Sequence, residues 1–322
     1  MGMAVRANRI AIGTEMEIRE YRNVPAVCGR LEPPGKHDAC FLPRMAHGTG
    51  DIDIHEMAWV ESSPHTPCAE IGTRSVPPTM ELWFVNTRFS CLCTRSPEYS
   101  FQPRWRPKFV TQLTPEDRCH LNGLSIVDGR PKFVTALGEC NEAGGWRQNK
   151  RDGGVLIDID SSEVIARGLS MPHSPRWYRD KLWLLHSGTG GLGTVDLATG
   201  KYEELIELPG FTRGLDFLGP FALVGLSQVR DSAVFSGIPI ASRAERSCGV
   251  WVVNIETGQE VGYVKFEDAL QEIFAVQVLP QARFPDLVND NKELLASSYV
   301  VPDEALADVP AELRAWRKGS SS

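Results

Sequence analysis

The chain lacks the patterns that mark membrane, secreted and nucleic-acid-binding proteins. It has no apolar run of about 18 residues, so no transmembrane helix is expected. The opening stretch MGMAVRANRI lacks the apolar core of a signal peptide. The formal net charge is -7, whereas binding to nucleic-acid phosphates needs a basic face. We therefore expect a cytoplasmic protein whose partners include neither a membrane nor a nucleic acid.

Motifs for common cofactors and nucleophiles are also missing. No GxSxG, Walker or HExxH motif occurs. GTGGLG at 188–193 joins two predicted strands rather than a strand and a helix, so no nucleotide cofactor is expected. The eight cysteines contain no CxxC pair and resemble no compact disulfide framework, which indicates reduced thiols.

What the chain does contain is a repeat of short β-strands. Runs of four to eight residues rich in Val, Ile, Leu, Trp and Phe follow HLNGLSIV, HSPRWYR and TRGLDFL, and turn residues bound each run. The related turns VDLATGK and VNIETGQ recur between the third and fourth strands. Four-strand units at this spacing are typical of a β-propeller, in which each sheet is a blade around a central channel.

The repeat predicts an all-β, five-bladed propeller. The inner strands are predicted to begin near residues 54, 120, 173, 212 and 272, and NRIAIGT, MEIREYR and DACFLPR from the N-terminal region complete the last blade and close the ring. Six blades are the alternative prediction, if ELLASSYV forms part of another sheet. We expect one propeller domain over residues 1–301, and a short helix with a disordered tail over 302–322.

Three of the seven histidines fall at one position of the repeat. His55, His120 and His173 each open an inner strand, and the alignment puts Phe211 and Glu272 at the two remaining positions. Side chains at equivalent positions of a closed repeat converge on one point. Long connections at 138–154 and 227–248 are predicted on the same face, and long loops on a compact scaffold often carry function.

Metal binding is the sharpest interpretation of this ring. Imidazole and carboxylate ligands suit a single divalent transition metal such as Fe, Zn, Mn or Cu. The predicted ligands are His55, His120, His173 and Glu272. Glu272 could instead orient a histidine or act as a general base, and Asp53 is a second catalytic candidate. Two alternatives stay open: histidines that bond only to backbone or water, and metal-free acid–base catalysis.

Arginines near the same face predict a small anionic substrate, because guanidinium groups bind carboxylates and phosphates through paired donors. The candidate substrate-binding residues are Arg88, Arg147, Arg176, Arg213, Arg230, His186, Asn122 and Trp146. Local ion pairs are an equal alternative for each arginine, and burial under its loop is the alternative for Trp146.

Several segments carry a resemblance to a known family. DIDIHEMAW, ELWFVNTRFSCL, RCHLNGLS, GLSMPHSPRW, LPGFTRGLDF and CGVWVVNIETG resemble a bacterial family of conserved hypothetical proteins with a domain of unknown function, over roughly residues 5 to 290. The resemblance implies a β-propeller and carries no activity or ligand residues, since one fold hosts many functions.

The sequence therefore predicts a metal-dependent enzyme that acts on a small anionic substrate in the central channel. With a redox metal, oxygenase or oxidase chemistry would follow, and with zinc or manganese, hydrolase or lyase chemistry. The alternative is a non-catalytic propeller that binds a protein or peptide partner. The sequence leaves the oligomeric state open.

Overall fold

A computed structural model of the chain describes residues 1–62, 79–229, 236–268, 270–280 and 282–310. Within these ranges the strands form five sheets around a central channel, which confirms the predicted five-bladed β-propeller. No helix in the described part of the chain is long and apolar enough to cross a bilayer.

The blades follow one another along the chain. The N-terminal residues supply β1 (Met3–Arg6), β2 (Arg9–Gly13), β3 (Glu17–Asn23) and β4 (Ala39–Gly48). Blade 1 consists of β5 (Ile54–Ser62), β6 (Thr79–Asn86), β7 (Cys91–Thr94) and β8 (Gln102–Trp105). Blade 2 consists of β9 (Leu121–Val127), β10 (Arg130–Ala136), β11 (Gly154–Asp158) and β12 (Val164–Leu169). Blade 3 consists of β13 (Pro172–Tyr178), β14 (Lys181–His186), β15 (Gly191–Val195) and β16 (Tyr202–Glu207). Blade 4 consists of β17 (Phe211–Leu218), β18 (Phe221–Ser227), β19 (Cys248–Asn254) and β20 (Gln259–Phe266).

Blade 5 closes the ring from both ends of the described chain. It contains β1 to β4 in antiparallel order, and β21 (Pro285–Leu287) pairs in parallel with the outer strand β4. N-terminal strands thus complete the last blade, as predicted. The inner strand of this blade is β1, however, and not the segment that begins near residue 272.

Residues 271–279 form no strand because side chains of blade 4 engage their backbone groups. The N–H of Ile273 donates to the Ser227 hydroxyl at 2.9 Å, and the N–H of Val278 donates to the Asp216 carboxylate at 2.6 Å. Side-chain bonds of this kind compete with a strand ladder. Leu279 then packs on the core of blade 5, so the segment carries the chain from blade 4 to the closing blade.

Helices are short and few in the described ranges. The 3-10 helices are Pro25–Arg30, Gly145–Asn149, Pro239–Ser242 and Asp303–Leu306, and the α-helix α1 is Lys292–Ala296. The segment that could have begun a sixth blade lies partly in α1 and forms no strand. Most of the predicted C-terminal helix and tail falls on 311–322, outside the described residues.

The hydrophobic core lies between the blade faces. One apolar cluster joins blades 1 and 2 through Leu92 and Leu121, and another joins blades 3 and 4 through Leu192 and Val224. Side chains from both faces of a strand are buried because each sheet is covered by its two neighbours, which explains the nearly continuous apolar runs in the sequence. This packing holds the first residues of the inner strands in a fixed ring at one mouth of the channel.

Candidate functional site

The three histidines predicted from the repeat do converge. The ring centroid of His55 lies 4.8 Å from that of His120 and 6.3 Å from that of His173. Phe211 continues the ring, with its centroid 5.5 Å from that of His173. The inner strands of neighbouring blades start at the same height, and this brings the side chains together from three blades.

Two of the histidines are held by the same arrangement in different blades. The Nδ1 atom of His55 lies 2.8 Å from the Thr87 hydroxyl, which donates to the carbonyl oxygen of Leu121 at 2.6 Å. The Nδ1 atom of His173 lies 3.1 Å from the Ser187 hydroxyl, and this hydroxyl donates to a carbonyl of the next blade at 2.6 Å. Because each hydroxyl proton is used in this way, the hydroxyl oxygen accepts from Nδ1–H.

A backbone carbonyl oxygen from a strained residue is a second acceptor for Nδ1 of each of these two histidines. Asp53 and Met171, each two residues before a histidine, have φ angles of +55° and +46°. Their carbonyl oxygens lie 3.2 Å from Nδ1 of His55 and 2.9 Å from Nδ1 of His173. A left-handed conformation outside glycine costs about 1–3 kcal/mol and is concentrated at functional sites.

His120 is held by a carboxylate instead. Its Nδ1 atom lies 2.9 Å from Oδ1 of Asp117, and the other oxygen of Asp117 accepts from the indole N–H of Trp146 at 2.8 Å. The Trp146 ring lies 4.4 Å from the His120 ring, between centroids. Trp146 is buried, as the burial alternative in the sequence foresaw, and it contacts a member of the histidine cluster at the same time.

In all three histidines Nδ1 is engaged in hydrogen bonds, so Nε2 is the ring nitrogen that could bind a ligand. Among the described residues, none forms a hydrogen bond with the Nε2 atom of His55, His120 or His173. With Nδ1 as the donor, Nε2 carries the lone pair of a neutral imidazole. Burial, reinforced by the positive charge of Arg213, lowers the pKa of His55 and of His173 well below the ordinary value, which favours this neutral form.

A compact group within this cluster could hold a metal ion. Asp53, His55 and His120 each offer one ligand atom, and these atoms lie within 4.8 Å of one another. The carboxylate of this group is Asp53 rather than Glu272. Glu272 lies close enough to Arg213 to raise the pKa of that arginine, but it is not part of the compact group. Nitrogen and carboxylate donors fit a divalent transition metal.

Arg213 places a cation beside the histidines. Its guanidinium carbon lies 4.3 Å from the ring centroid of Phe274, and no hydrogen bond or ion pair to a described residue engages the group. Burial lowers the pKa of Arg213 to about 10, against the opposing charges of Asp53, Glu272 and Glu56. A half-buried guanidinium whose donors have no partner among the described residues has the chemistry to bind an anion.

The other predicted arginines are engaged elsewhere. Arg176 crosses the channel: its guanidinium donates to the carbonyl oxygens of Leu124 and Leu215 at 3.3 and 3.0 Å and pairs with Glu56. Arg88 pairs with Asp51 near the histidine face. Arg147 donates to Asp117 at 3.1 Å and lies over the Trp146 ring. Arg230 lies outside the described residues.

His186 and Asn122 have structural partners rather than places in the cluster. The backbone N–H of Ser170 donates to Nε2 of His186 at 2.6 Å. The side chain of Asn122 is buried; it donates to the carbonyl oxygen of Pro172 at 3.0 Å and accepts from the Thr135 hydroxyl at 2.6 Å. Asn122 therefore joins blade 2 to blade 3.

The sequence interpretation missed Asp117, Thr87 and Ser187. Thr87 and Ser187 both follow the second strand of their blades, directly after Asn86 at the end of β6 and His186 at the end of β14. A comparison of the residues directly after the second strand of each blade could have identified both hydroxyl groups. Asp117 lies in the long connection before β9, which has no equivalent in the other blades, so only its spacing of three residues from His120 pointed to it.

Comparison with solved structures finds chains of low sequence identity. A protein of unknown function from Bacteroides caccae is 11% identical, with a TM-score of 0.47, covering 84% of this chain and 78% of that chain. A chain of the nidogen/laminin complex is 10% identical, with a TM-score of 0.45 and coverage of 81% and 78%. The computationally designed Ika8 protein is 11% identical, with a TM-score of 0.38 and coverage of 86% of this chain and 64% of its own.

Sequence comparison points to one family. No curated protein matches the chain. The model of a domain of unknown function, DUF4915, matches residues 1–288, which include all five blades and every residue of the histidine cluster. The chain therefore belongs to the DUF4915 family, as the resemblance of its sequence motifs indicated.

Proposed function

We propose that the histidine mouth of the channel binds a divalent transition-metal ion and, beside it, a small anionic substrate on which the metal acts. The observation that carries the proposal is the shared orientation of three imidazoles, whose Nδ1 atoms all have outward acceptors. A metal-ligating histidine usually donates its other N–H to such an acceptor, which fixes the ring and its tautomer.

Asp53, His55 and His120 are the residues best arranged to hold the metal. His173 would join them as a further ligand, since its ring lies next to that of His55. Zn, Mn, Fe and Cu all accept these nitrogen and oxygen donors. Glu272 is proposed as an additional ligand or as a general base that faces Arg213.

Arg213 supports the choice of an anionic substrate. A carboxylate or phosphate would supply the acceptors that its guanidinium lacks among the described residues. The same anion could reach the metal, because Arg213 is close enough to His55 and His173 to lower the pKa of both. A bound metal would supply Lewis acidity and an activated water, or oxygen chemistry if it is Fe or Cu.

The cytoplasm remains the proposed location. All seven cysteines in the described ranges are free thiols, in keeping with a reducing compartment. Cys91 and Cys93 are fully buried with their sulfur atoms 3.4 Å apart, an environment that suits uncharged thiols.

Elemental analysis tests whether the protein binds a metal ion at this site. Protein purified without added metal, and metal-stripped protein titrated with Zn²⁺, Mn²⁺ or Co²⁺, should bind close to one ion per chain. His55→Ala and His120→Ala should lose most of this binding. His47→Ala is the matched control, since His47 is half-buried outside the cluster and its bond among the described residues is to the carbonyl oxygen of Ser100 at 2.9 Å. Equal binding by wild type, His120→Ala and His47→Ala would contradict the proposal.

A second candidate function, a non-catalytic scaffold for a peptide or protein, is favoured by strand β20. This outer strand of blade 4 exposes Val261, Tyr263 and Val264 by 52%, 60% and 61%. An exposed apolar strand edge can accept an extended partner segment. Tyr263→Lys and Val264→Glu would abolish binding by this edge and leave metal binding unchanged, so pull-down and metal analysis separate the two functions.

A further inference from the structure

Three side chains converge on the carboxylate of Asp117. Nδ1 of His120 lies 2.9 Å from one oxygen, while the other oxygen accepts from Nε1 of Trp146 at 2.8 Å and from Nη2 of Arg147 at 3.1 Å. Trp146 and Arg147 come from the 3-10 helix in the long connection between β10 and β11. The carboxylate thus ties this connection to a residue of the histidine cluster.

The backbone holds Asp117 in a strained conformation at this point. Asp117 has a φ angle of +48°, and its N–H donates to the carbonyl oxygen of Arg88 at 2.8 Å. The neighbouring Glu116 accepts from the backbone N–H of Gly144 at 2.9 Å, which pins the start of the 3-10 helix. A left-handed conformation at a non-glycine residue costs about 1–3 kcal/mol, so surrounding contacts must maintain it.

His120 has the closest carboxylate to Nδ1 among the three histidines, at 2.9 Å, whereas the Asp53 carboxylate lies 3.5 Å from Nδ1 of His55. The closest acceptors for Nδ1 of His55 and His173 are neutral, a hydroxyl group in one blade and a backbone carbonyl in the other. A carboxylate that accepts from Nδ1–H fixes the tautomer with a lone pair on Nε2 and increases the donor strength of that nitrogen toward a metal. The Trp146 ring, 4.4 Å from the imidazole between centroids, restricts the ring further.

We propose that Asp117 is the positioning residue of the metal site and that Trp146 and Arg147 act through it rather than by touching the substrate. This inference rests on the proposed function, because it assigns His120 as a metal ligand. It changes the interpretation of Trp146 and Arg147, which the sequence placed among the substrate-binding residues. The long connection is then a strap that orients His120.

The first experiment needs no metal. Metal-free protein labelled with ¹⁵N-histidine should show His120 as the Nδ1–H tautomer, with a pyrrole-type Nδ1 signal and a pyridine-type Nε2 signal. Asp117→Ala should give a mixture of tautomers at His120, while His173 keeps its own pattern because its acceptors are Met171 and Ser187. An Nε2–H tautomer in the wild type, or an unchanged His120 signal in Asp117→Ala, would overturn the proposal.

The second experiment measures metal affinity by titration of stripped protein with Co²⁺ or Zn²⁺. Asp117→Ala should weaken binding about 10- to 100-fold, as removal of a ligand-orienting partner does elsewhere. Asp117→Asn keeps one acceptor oxygen for three donors. Its metal affinity should therefore lie between that of Asp117→Ala and that of the wild type. Trp146→Phe keeps the ring against His120 but removes the Nε1–H donor, so a several-fold loss is expected.

Controls separate positioning from general damage and from failure of the proposed function. Asp196→Asn alters an exposed aspartate that caps a turn in blade 3, and it should change neither the tautomer nor the affinity. If Asp117→Ala fails to fold, Asp117→Asn and Trp146→Phe carry both measurements. If the wild type binds no metal, the proposed function fails, while the tautomer of His120 still decides the role of Asp117.

Discussion

The guanidinium carbon of Arg213 lies 4.3 Å from the ring centroid of Phe274, so this half-buried cation packs over an aromatic face. An aromatic ring attracts a cation, but it leaves the planar N–H donors unused. The unused donors of Arg213 therefore reduce the stability of the fold, and they are also the groups that an anion would engage.

Replacement of Arg213 by Met should separate these two effects. Because a half-buried charge without a hydrogen-bonded partner among the described residues is costly, we expect Arg213→Met to raise the free energy of unfolding by about 1 kcal/mol. The same change should abolish stabilisation by added carboxylates or phosphates. Urea unfolding with and without these anions measures both effects. Arg179→Met, which removes an exposed arginine paired with Glu256, is the control and should leave the anion response intact.

Loss of the carboxylate of Glu56 should destabilise the channel strongly. Glu56 is buried and pairs with Arg176, whose remaining donors are used by backbone carbonyls. Removing one partner of a buried pair typically costs about 3–5 kcal/mol because a charge is left uncompensated. Chemical unfolding of Glu56→Gln checks this, with Glu61→Gln, at an exposed pair 4.0 Å from Arg6, as a nearly neutral control. Equal losses in both variants would contradict the pairing.

Gly214 should tolerate alanine worse than a glycine of similar backbone geometry. Its φ angle is +83°, and an added Cβ would lie 2.6 Å from the backbone nitrogen of Val276. Gly129 has a φ angle of +73° with open space around it. Gly129→Ala should cost about 1–2 kcal/mol from the left-handed backbone alone. Gly214→Ala should cost about 1–3 kcal/mol more because residues 275–276 must move. Thermal or urea unfolding of the two variants gives the difference directly.

Stability should decline at mildly acidic pH through His186. Burial lowers the pKa of His186 below its ordinary value of 6.5, and its Nε2 accepts the N–H of Ser170, which requires the unprotonated form. The unfolded chain therefore binds this proton first as the pH falls. The free energy of unfolding should decrease below about pH 6.5, with this residue contributing up to about 1.4 kcal/mol per pH unit.

The contribution of His186 is isolated by comparing metal-free wild type with His186→Gln between pH 8 and pH 5. Glutamine keeps an acceptor and does not titrate, so the variant should show a smaller loss of stability over this range. Two parallel curves would mean that Ser170 and His186 do not determine the pH dependence.

The sequence predicted the blades and the meeting of the three histidines because both follow from a repeat. Any residue that opens an inner strand is carried to the same mouth of the channel, whatever its neighbours are. The direction of the following side chains could not be predicted in this way. The inner strands of three blades have register irregularities at the same place, including those between His173 and Arg176 and between Thr212 and Leu215.

These irregularities break the two-residue alternation from which strand orientation is predicted. Arg176 consequently points to Glu56 across the channel, although it follows a histidine of the cluster by only three residues. Asp117 escaped prediction for another reason: its role depends on a loop contact with Trp146, and no repeated pattern encodes that contact. The repeat therefore determines which residues lie at the mouth of the channel, whereas local irregularities and loop contacts determine what their side chains do there.

Arg176 bears on how a small molecule could move along the central channel. Its guanidinium is tied to blades 2 and 4 by carbonyls and to blade 1 by Glu56, and a cavity of about 410 Å³ lies at the opposite end of the inner strands. Arg176 also lines this cavity, so the pair that it forms with Glu56 lies between the cavity and the histidines. If the histidine mouth binds a small anion as proposed, this ion pair would hinder its passage to the opposite end of the channel, so binding and release would use the same mouth.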